Sequence, residues 1–158
     1  MLGFLLCKGQ QYRLYLLVRN LVGQIEIELE RCFFFLHGQD KGCVEILRDV
    51  STAFLDFVQT HRSQAIVWLE WGAAVREDVW PRYRAFTEAI VDITRRTLDR
   101  CQQEGCVASD ADTESLARLF ASSSQSIARL QLGGVDPQTV ARFQQTVLRA
   151  IVSEEALA

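Results

Sequence analysis

The chain has two prolines and nine glycines in 158 residues, too few turn formers for a fold of many short strands. Histidine is equally scarce. His37 and His61 are the only two, and neither sits at a spacing that builds a metal site or pairs a base with a nucleophile. A phosphate-cradling glycine loop is missing, and Gly133-Gly134 reads as helix punctuation. No apolar run reaches the ~18 residues of a membrane span. The oiliest stretches, Leu14–Val22 and Cys32–Leu36, are interrupted by Arg19 and Asn20 or are too short. The opening MLGFLLC lacks a basic flank and its apolar run stops at Lys8, so no signal peptide is expected. A basic excess is absent too: 17 basic against 20 acidic residues leave a net charge of −3, unlike a self-contained nucleic-acid-binding domain. These absences argue against an enzyme, a membrane protein and a stand-alone DNA-binding domain. No catalytic residue, metal or cofactor is expected.

What is present is a chain with 49% apolar residues, long enough to bury roughly two-thirds of its unfolded surface in one core. Its five cysteines, Cys7, Cys32, Cys43, Cys101 and Cys106, form an odd set without regular spacing, which predicts reduced thiols in a cytoplasm. Cys101-x4-Cys106 comes near a zinc-binding spacing but has no matching second pair. Packed, inert thiols are the expectation.

Apolar residues recur every three or four positions almost throughout, which predicts an all-α fold of about six helices. The first is expected over Arg19 to Leu36, with Val22, Ile25, Leu29, Cys32, Phe33 and Leu36 on one stripe. After the break at Gly38–Gly42, a second carries Val44, Leu47, Val50, Phe54, Phe57 and Val58 and ends near His61–Ser63. The third, Gln64 to Val75, is apolar almost all round, and so is expected in the middle of the bundle. Within it Glu70 is expected to pair with an arginine or face a polar cavity. Trp80-Pro81 marks a boundary, so a fourth helix should start close to Asp78 and run to Gln103, with Gly105 ending it. Asp112 is a natural cap for a fifth helix, Thr113 to about Leu132. Asp136-Pro137 supplies a cap and a first-turn proline for a sixth that ends near Ser153.

The most distinctive segment is Val67-Trp68-Leu69-Glu70-Trp71-Gly72-Ala73-Ala74-Val75-Arg76-Glu77-Asp78-Val79-Trp80-Pro81. Trp68 and Trp71 lie three apart and project to a similar side of one helix. Such a cluster is either plain core or the wall of an apolar ligand cavity. The string WLEWGAAVREDVWPRY resembles the signature of the LuxR/HapR-type branch of TetR-family transcriptional regulators, in which W-[FL]-E-W and two small residues precede R-[DE]-[DE]-V-W-P. The likeness continues through Leu98–Val107 (LDRCQQEGCV) and Glu114–Phe120 (ESLARLF), and spans about Gln24 to Val152. Gln10–Val22 is similar to the end of that family's helix-turn-helix: Tyr12, Tyr15, Leu21 and Val22 fall in register. Arg19 lies one place from the basic residue, Leu16 replaces the proline, and Leu14 stands where an aromatic is usual.

The resemblance implies a TetR-type C-terminal helical bundle. Residues 1–22 would be a remnant of the DNA-binding region, with Lys8 and Tyr12 at its DNA face, and 23–158 an effector-binding and dimerisation domain. Residue 1 would then fall within the DNA-reading motif, and a recognition helix without its supporting helix reads DNA weakly or not at all. Operator DNA would be a partner only of the intact protein. A small apolar effector would be lined by Phe54, Trp68, Trp71, Tyr83, Thr87, Phe120 and Ser124. The last two helices would form the homodimer interface through Leu116, Ser123, Ile127, Leu130, Val140, Phe143, Val147 and Ile151, with Ser122, Ser123, Ser124 and Ser126 keeping the approach close. The alternative is a stand-alone ligand-binding and dimerisation module without DNA binding. Either would be cytoplasmic and independent of membranes.

Overall fold

The computed structural model describes residues 41–73 and 80–153, together with Gly23, Ile27 and Ala156. Of the expected first helix only Gly23 and Ile27 are described, both helical; Lys8, Tyr12, the 1–22 segment and the Asp78 helix start lie outside the described residues, as does the side chain of Trp71. Over the described residues from 41 onward, five helices follow one another: α1 (Cys43–Thr60), α2 (Arg62–Ala73), α3 (Trp80–Gln103), α4 (Thr113–Leu132) and α5 (Pro137–Ile151). No strand occurs among the described residues. The fold is all-α, and no described helix is long and apolar enough to cross a membrane.

Local chemistry sets the helix ends. The Asp112 carboxylate accepts from the Glu114 and Ser115 amides at 3.1 and 3.4 Å. Asp136 accepts from those of Gln138 and Thr139, both at 3.0 Å, with Pro137 in the first turn where its missing N–H is harmless. At the other end of α3, Gly105 takes φ 78°, a left-handed conformation that glycine alone adopts without strain. The chain folds back there, and the Cys106 amide donates to the Cys101 carbonyl at 2.8 Å.

Both capping carboxyls are held below the usual aspartate range. The cause at Asp112 is first the Ser115 hydroxyl and then the Ser115 and Glu114 amides. At Asp136 it is first the Thr139 hydroxyl and then the Gln138 and Thr139 amides. A carboxyl with a depressed folded-state value stabilises fully above its unfolded value, near about 3.9, and loses that contribution as pH falls through the folded one. The thermal midpoint of the wild type should therefore fall on acidification below about pH 4 more steeply than that of Asp112→Ala. At neutral pH the variant should melt roughly 2–4 °C lower. Equal acid slopes would remove the cap from the account.

The central helix is α4, which packs against each of the other four and most extensively against α3. Its buried face carries Ala117, Phe120, Ser123, Ile127 and Ala128. The sequence expectation put α2 at the centre instead. In α2 only Ala65 and Trp68 are buried among the described side chains, whereas Ile66 is 41% exposed and Glu70 is exposed. A twelve-residue helix seated on one side of α4 has an outer face whatever its composition. Glu70 is exposed on that outer face. Two bonds fasten this end of the bundle: Arg62 to the Leu132 carbonyl at 2.8 Å, and the Gln131 amide to the Leu55 carbonyl at 3.2 Å.

The expectation of reduced thiols is corrected for two of the five cysteines, while Cys7 and Cys32 lie outside the described residues. Cys43, at the start of α1, and Cys101, in the last turn of α3, form a disulfide with Cα atoms 5.4 Å apart, within the span such a bond requires. Both are fully buried. They are 58 residues apart in sequence, a separation that gives no spacing motif. Cys106 is a free thiol, half-buried.

Candidate functional site: an aromatic cavity between four helices

The residues expected around an effector come from α1, α2, α3 and α4. Phe54 of α1 meets Trp68 of α2 edge-on, ring centroids 5.7 Å apart. Trp68 in turn lies 6.3 Å from Tyr83 of α3, and Trp80 stacks on Tyr83 at 5.5 Å. Edge-on and offset contacts of this kind suit the ring quadrupoles. Trp80 thus joins the aromatic layer from the first turn of α3.

Phe54, Trp68, Thr87 and Ser124 share the wall of one small cavity of about 10 Å³, completed by Ile90, Ala121 and Gln125. A second cavity, also about 10 Å³, lies on the other side of Phe54 and Ser124, bounded by Phe120, Ser123, Ile127 and Val147 among others. Phe120 therefore lines the second cavity, and Tyr83 lines neither of the two. Each has room for about one water molecule.

Polar groups are few and placed with care. The Trp68 indole Nε1–H is buried without an acceptor among the described residues. A buried, unmet donor of this kind costs about 1–3 kcal/mol. Gln125 donates a short hydrogen bond to the Tyr83 hydroxyl. Burial pushes that phenol above its ordinary value, with the Thr87 and Gln125 hydrogen bonds and the Arg129 charge acting the other way. The hydroxyls of Thr87 and Ser124 are turned back onto the carbonyls one helical turn earlier, Tyr83 at 3.0 Å and Phe120 at 3.4 Å. Gln125 was missed from the sequence because glutamine on a central helix reads as surface. Its place beside Ser124 and one turn after Ala121 was the available signal.

Gly72 explains how α2 and α3 approach so closely. A Cβ built there would stand 2.8 Å from the Tyr83 hydroxyl and 3.1 Å from its ring. Alanine favours a helix over glycine by about 1 kcal/mol, but the rigid phenol must move, and overpacking costs about 1–3 kcal/mol. Gly72→Ala should be net destabilising by about 1 kcal/mol, read from the denaturant midpoint. A stabilised variant would show that the two helices do not meet there.

A larger groove of about 320 Å³ opens elsewhere, between the ends of α1 and α4 and the start of α5, lined by Leu55, Val58, Arg62, Gln131, Val135 and Val140 among others. Of the expected residues, Val140 alone borders it. It has the volume of a ligand site, and the buried Gln131 Oε1 there has no partner among the described residues.

At the expected dimer face, Ser123, Ile127, Val140 and Ile151 are 7%, 5%, 4% and 5% exposed. The surfaces of Ser123 and Ile127 on α4 and of Val140 and Ile151 on α5 are already covered within this chain by the neighbouring helices. Leu116, Leu130, Phe143 and Val147 are half-buried, and Leu119 on the same helix is 45% exposed.

No family model matches the chain, and no curated protein shows significant similarity to it.

Proposed function

We propose that this chain is the effector-binding and dimerisation domain of a TetR-type transcriptional regulator, which binds a small apolar molecule and, in the intact protein, controls contact with operator DNA in the cytoplasm. The observation that carries this reading is the convergence of Phe54, Trp68, Thr87 and Ser124, from four different helices, on one cavity. The unmet Trp68 indole N–H beside it suits an apolar ligand with a single hydrogen-bond acceptor.

The small size of the cavity fits a regulator better than a storage protein. A ligand larger than water enters only by moving the Phe54 ring or by separating α2 and α3. Rotation of Phe54 would join the two cavities it divides. Binding then selects a conformation with different helix spacing, and helix spacing is what an effector must change to alter two DNA-reading heads. Leu116, Leu119, Leu130, Phe143 and Val147 supply the exposed or half-buried apolar face for a second copy.

A panel of small apolar ligands with one acceptor should raise the thermal midpoint of the wild type. A ligand at a hundred times its Kd adds about 2.7 kcal/mol, or roughly 5–11 °C at this size. Ser124→Phe, which fills the cavity, should abolish the shift. Val135→Trp, which blocks the larger groove, should leave it intact. The opposite pattern would place the effector in the groove, and no shift with any ligand would count against effector binding altogether.

A further inference from the structure

Three potential ligand groups meet where the start of α1 touches the end of α3. The sulfurs of Cys43 and Cys106 and a carboxylate oxygen of Glu104 all lie within 4.8 Å of one another. Cys101 shares the place through its bond to Cys43. We propose that these four residues form a redox-gated site for a soft divalent cation of the zinc class: closed while Cys43 and Cys101 are joined, and open once that bond is reduced.

The donor set fits this chemistry. Zinc binds thiolate at about 2.3 Å and carboxylate oxygen at about 2.0–2.2 Å, usually with four ligands in a tetrahedron. Ligand atoms around such an ion stand roughly 3.5–4 Å apart, so Cys43, Cys106 and Glu104, all within 4.8 Å of one another, need to close by at most about 1 Å. Three sulfurs and one oxygen exclude a hard cation such as calcium or magnesium, which takes oxygen ligands.

The surroundings hold these groups in position. The positive-φ turn at Gly105 brings Cys106 back over Cys101, and the Ser153 amide pins the Cys106 carbonyl at 2.9 Å. Arg100 anchors one Glu104 oxygen at 3.0 Å, while the Cys43 amide lies 3.5 Å from the other. Gly42, the cap of α1, offers no side chain to the first turn. The Cys43 amide beside Glu104 belongs to the N-terminal end of that helix, an end that favours anionic ligands.

The redox step balances with a dithiol as the reductant. Its two sulfurs become a disulfide, and the two electrons cleave the Cys43–Cys101 bond to give two thiols. Cation binding then releases the protons of the cysteines as thiolates form.

The test uses the full chain, reduced with a phosphine, stripped with a chelator and titrated with cobalt(II) and then zinc(II). One cobalt per chain is expected, with thiolate charge-transfer and tetrahedral d–d bands that zinc abolishes. The chain oxidised with diamide should bind none. Cys43→Ser and Cys106→Ser should lose the bands and Glu104→Gln should weaken binding. Cys7→Ser and Cys32→Ser should retain it, each variant being checked for helicity by circular dichroism. In the reduced wild type, zinc should protect Cys43, Cys101 and Cys106 together from alkylation while leaving the labelling of Cys7 and Cys32 unchanged. The proposal is overturned if the reduced chain takes up no cobalt, if the oxidised chain binds equally, or if Cys106 stays reactive under saturating zinc. Transfer of the disulfide to Cys43–Cys106 without cation uptake would also overturn it.

Discussion

Breaking the Cys43–Cys101 bond, with a chelator present to exclude cations, is expected to lower the unfolding free energy by about 4 kcal/mol. The bond closes a loop across 58 positions, and a crosslink over that distance removes much of the freedom of the unfolded chain. A stability margin for a domain is about 5–15 kcal/mol, so the reduced protein should remain folded but sit near its limit. Denaturant midpoints should fall on reduction in the wild type and stay unchanged on reduction in Cys101→Ala. A loss below about 1 kcal/mol would mean that the start of α1 and the end of α3 stay together without the bond.

Phe54→Ala should be nearly as damaging, at about 3–5 kcal/mol, or roughly 6–20 °C in midpoint. The ring is 4% exposed and stands between two cavities of about 10 Å³ each, so its removal joins them into one larger void. Leu98→Ala, at a fully buried position away from the cavities, should cost a comparable 2–5 kcal/mol. The two should differ in rescue. A small apolar ligand should restore part of the lost midpoint in Phe54→Ala and none in Leu98→Ala, because only the first leaves a space joined to the Trp68 site. Equal rescue of both, or of neither, would show that Phe54 does not gate a binding space.

Parts of this architecture were legible in the sequence. The limits of α4 follow from Asp112 and Gly133, and the start of α5 from Asp136-Pro137, since caps and first-turn proline act through local bonds that need no tertiary information. The placement of α2 was not legible. A helix apolar nearly all round has no periodic face, so its pattern does not distinguish the middle of a bundle from its flank. The outward position of Ile66 had no sequence signal. The disulfide was hidden for a different reason: Cys43 and Cys101 become neighbours only when α1 and α3 lie side by side. The same applies to Cys43 beside Cys106, where sequence spacing offered a single lone pair.

The aromatic site was partly legible. Phe54, Trp68, Thr87 and Ser124 came from stripes and a family likeness, and they meet around one cavity. Phe120 falls on the far side of Phe54 and Ser124, and Gln125 entered only with the packing of α4 against α3. The dimer stripe was half obscured, because Ser123, Ile127, Val140 and Ile151 are apolar-face residues of any amphipathic helix, whether covered by the same chain or another.

The central claim is that the Trp68 cavity is where a small apolar effector binds. Its most direct test is a titration of the 15N-labelled chain with a stabilising ligand, followed through the indole N–H resonances, with Trp68 assigned by its absence from Trp68→Phe. The Trp68 indole signal should move and saturate in step with the ligand's thermal stabilisation, as its unmet N–H gains an acceptor. A Trp68 signal that stays fixed while the amides of Val135 and Ala141 move would contradict the claim, and would put the ligand in the groove beside α5.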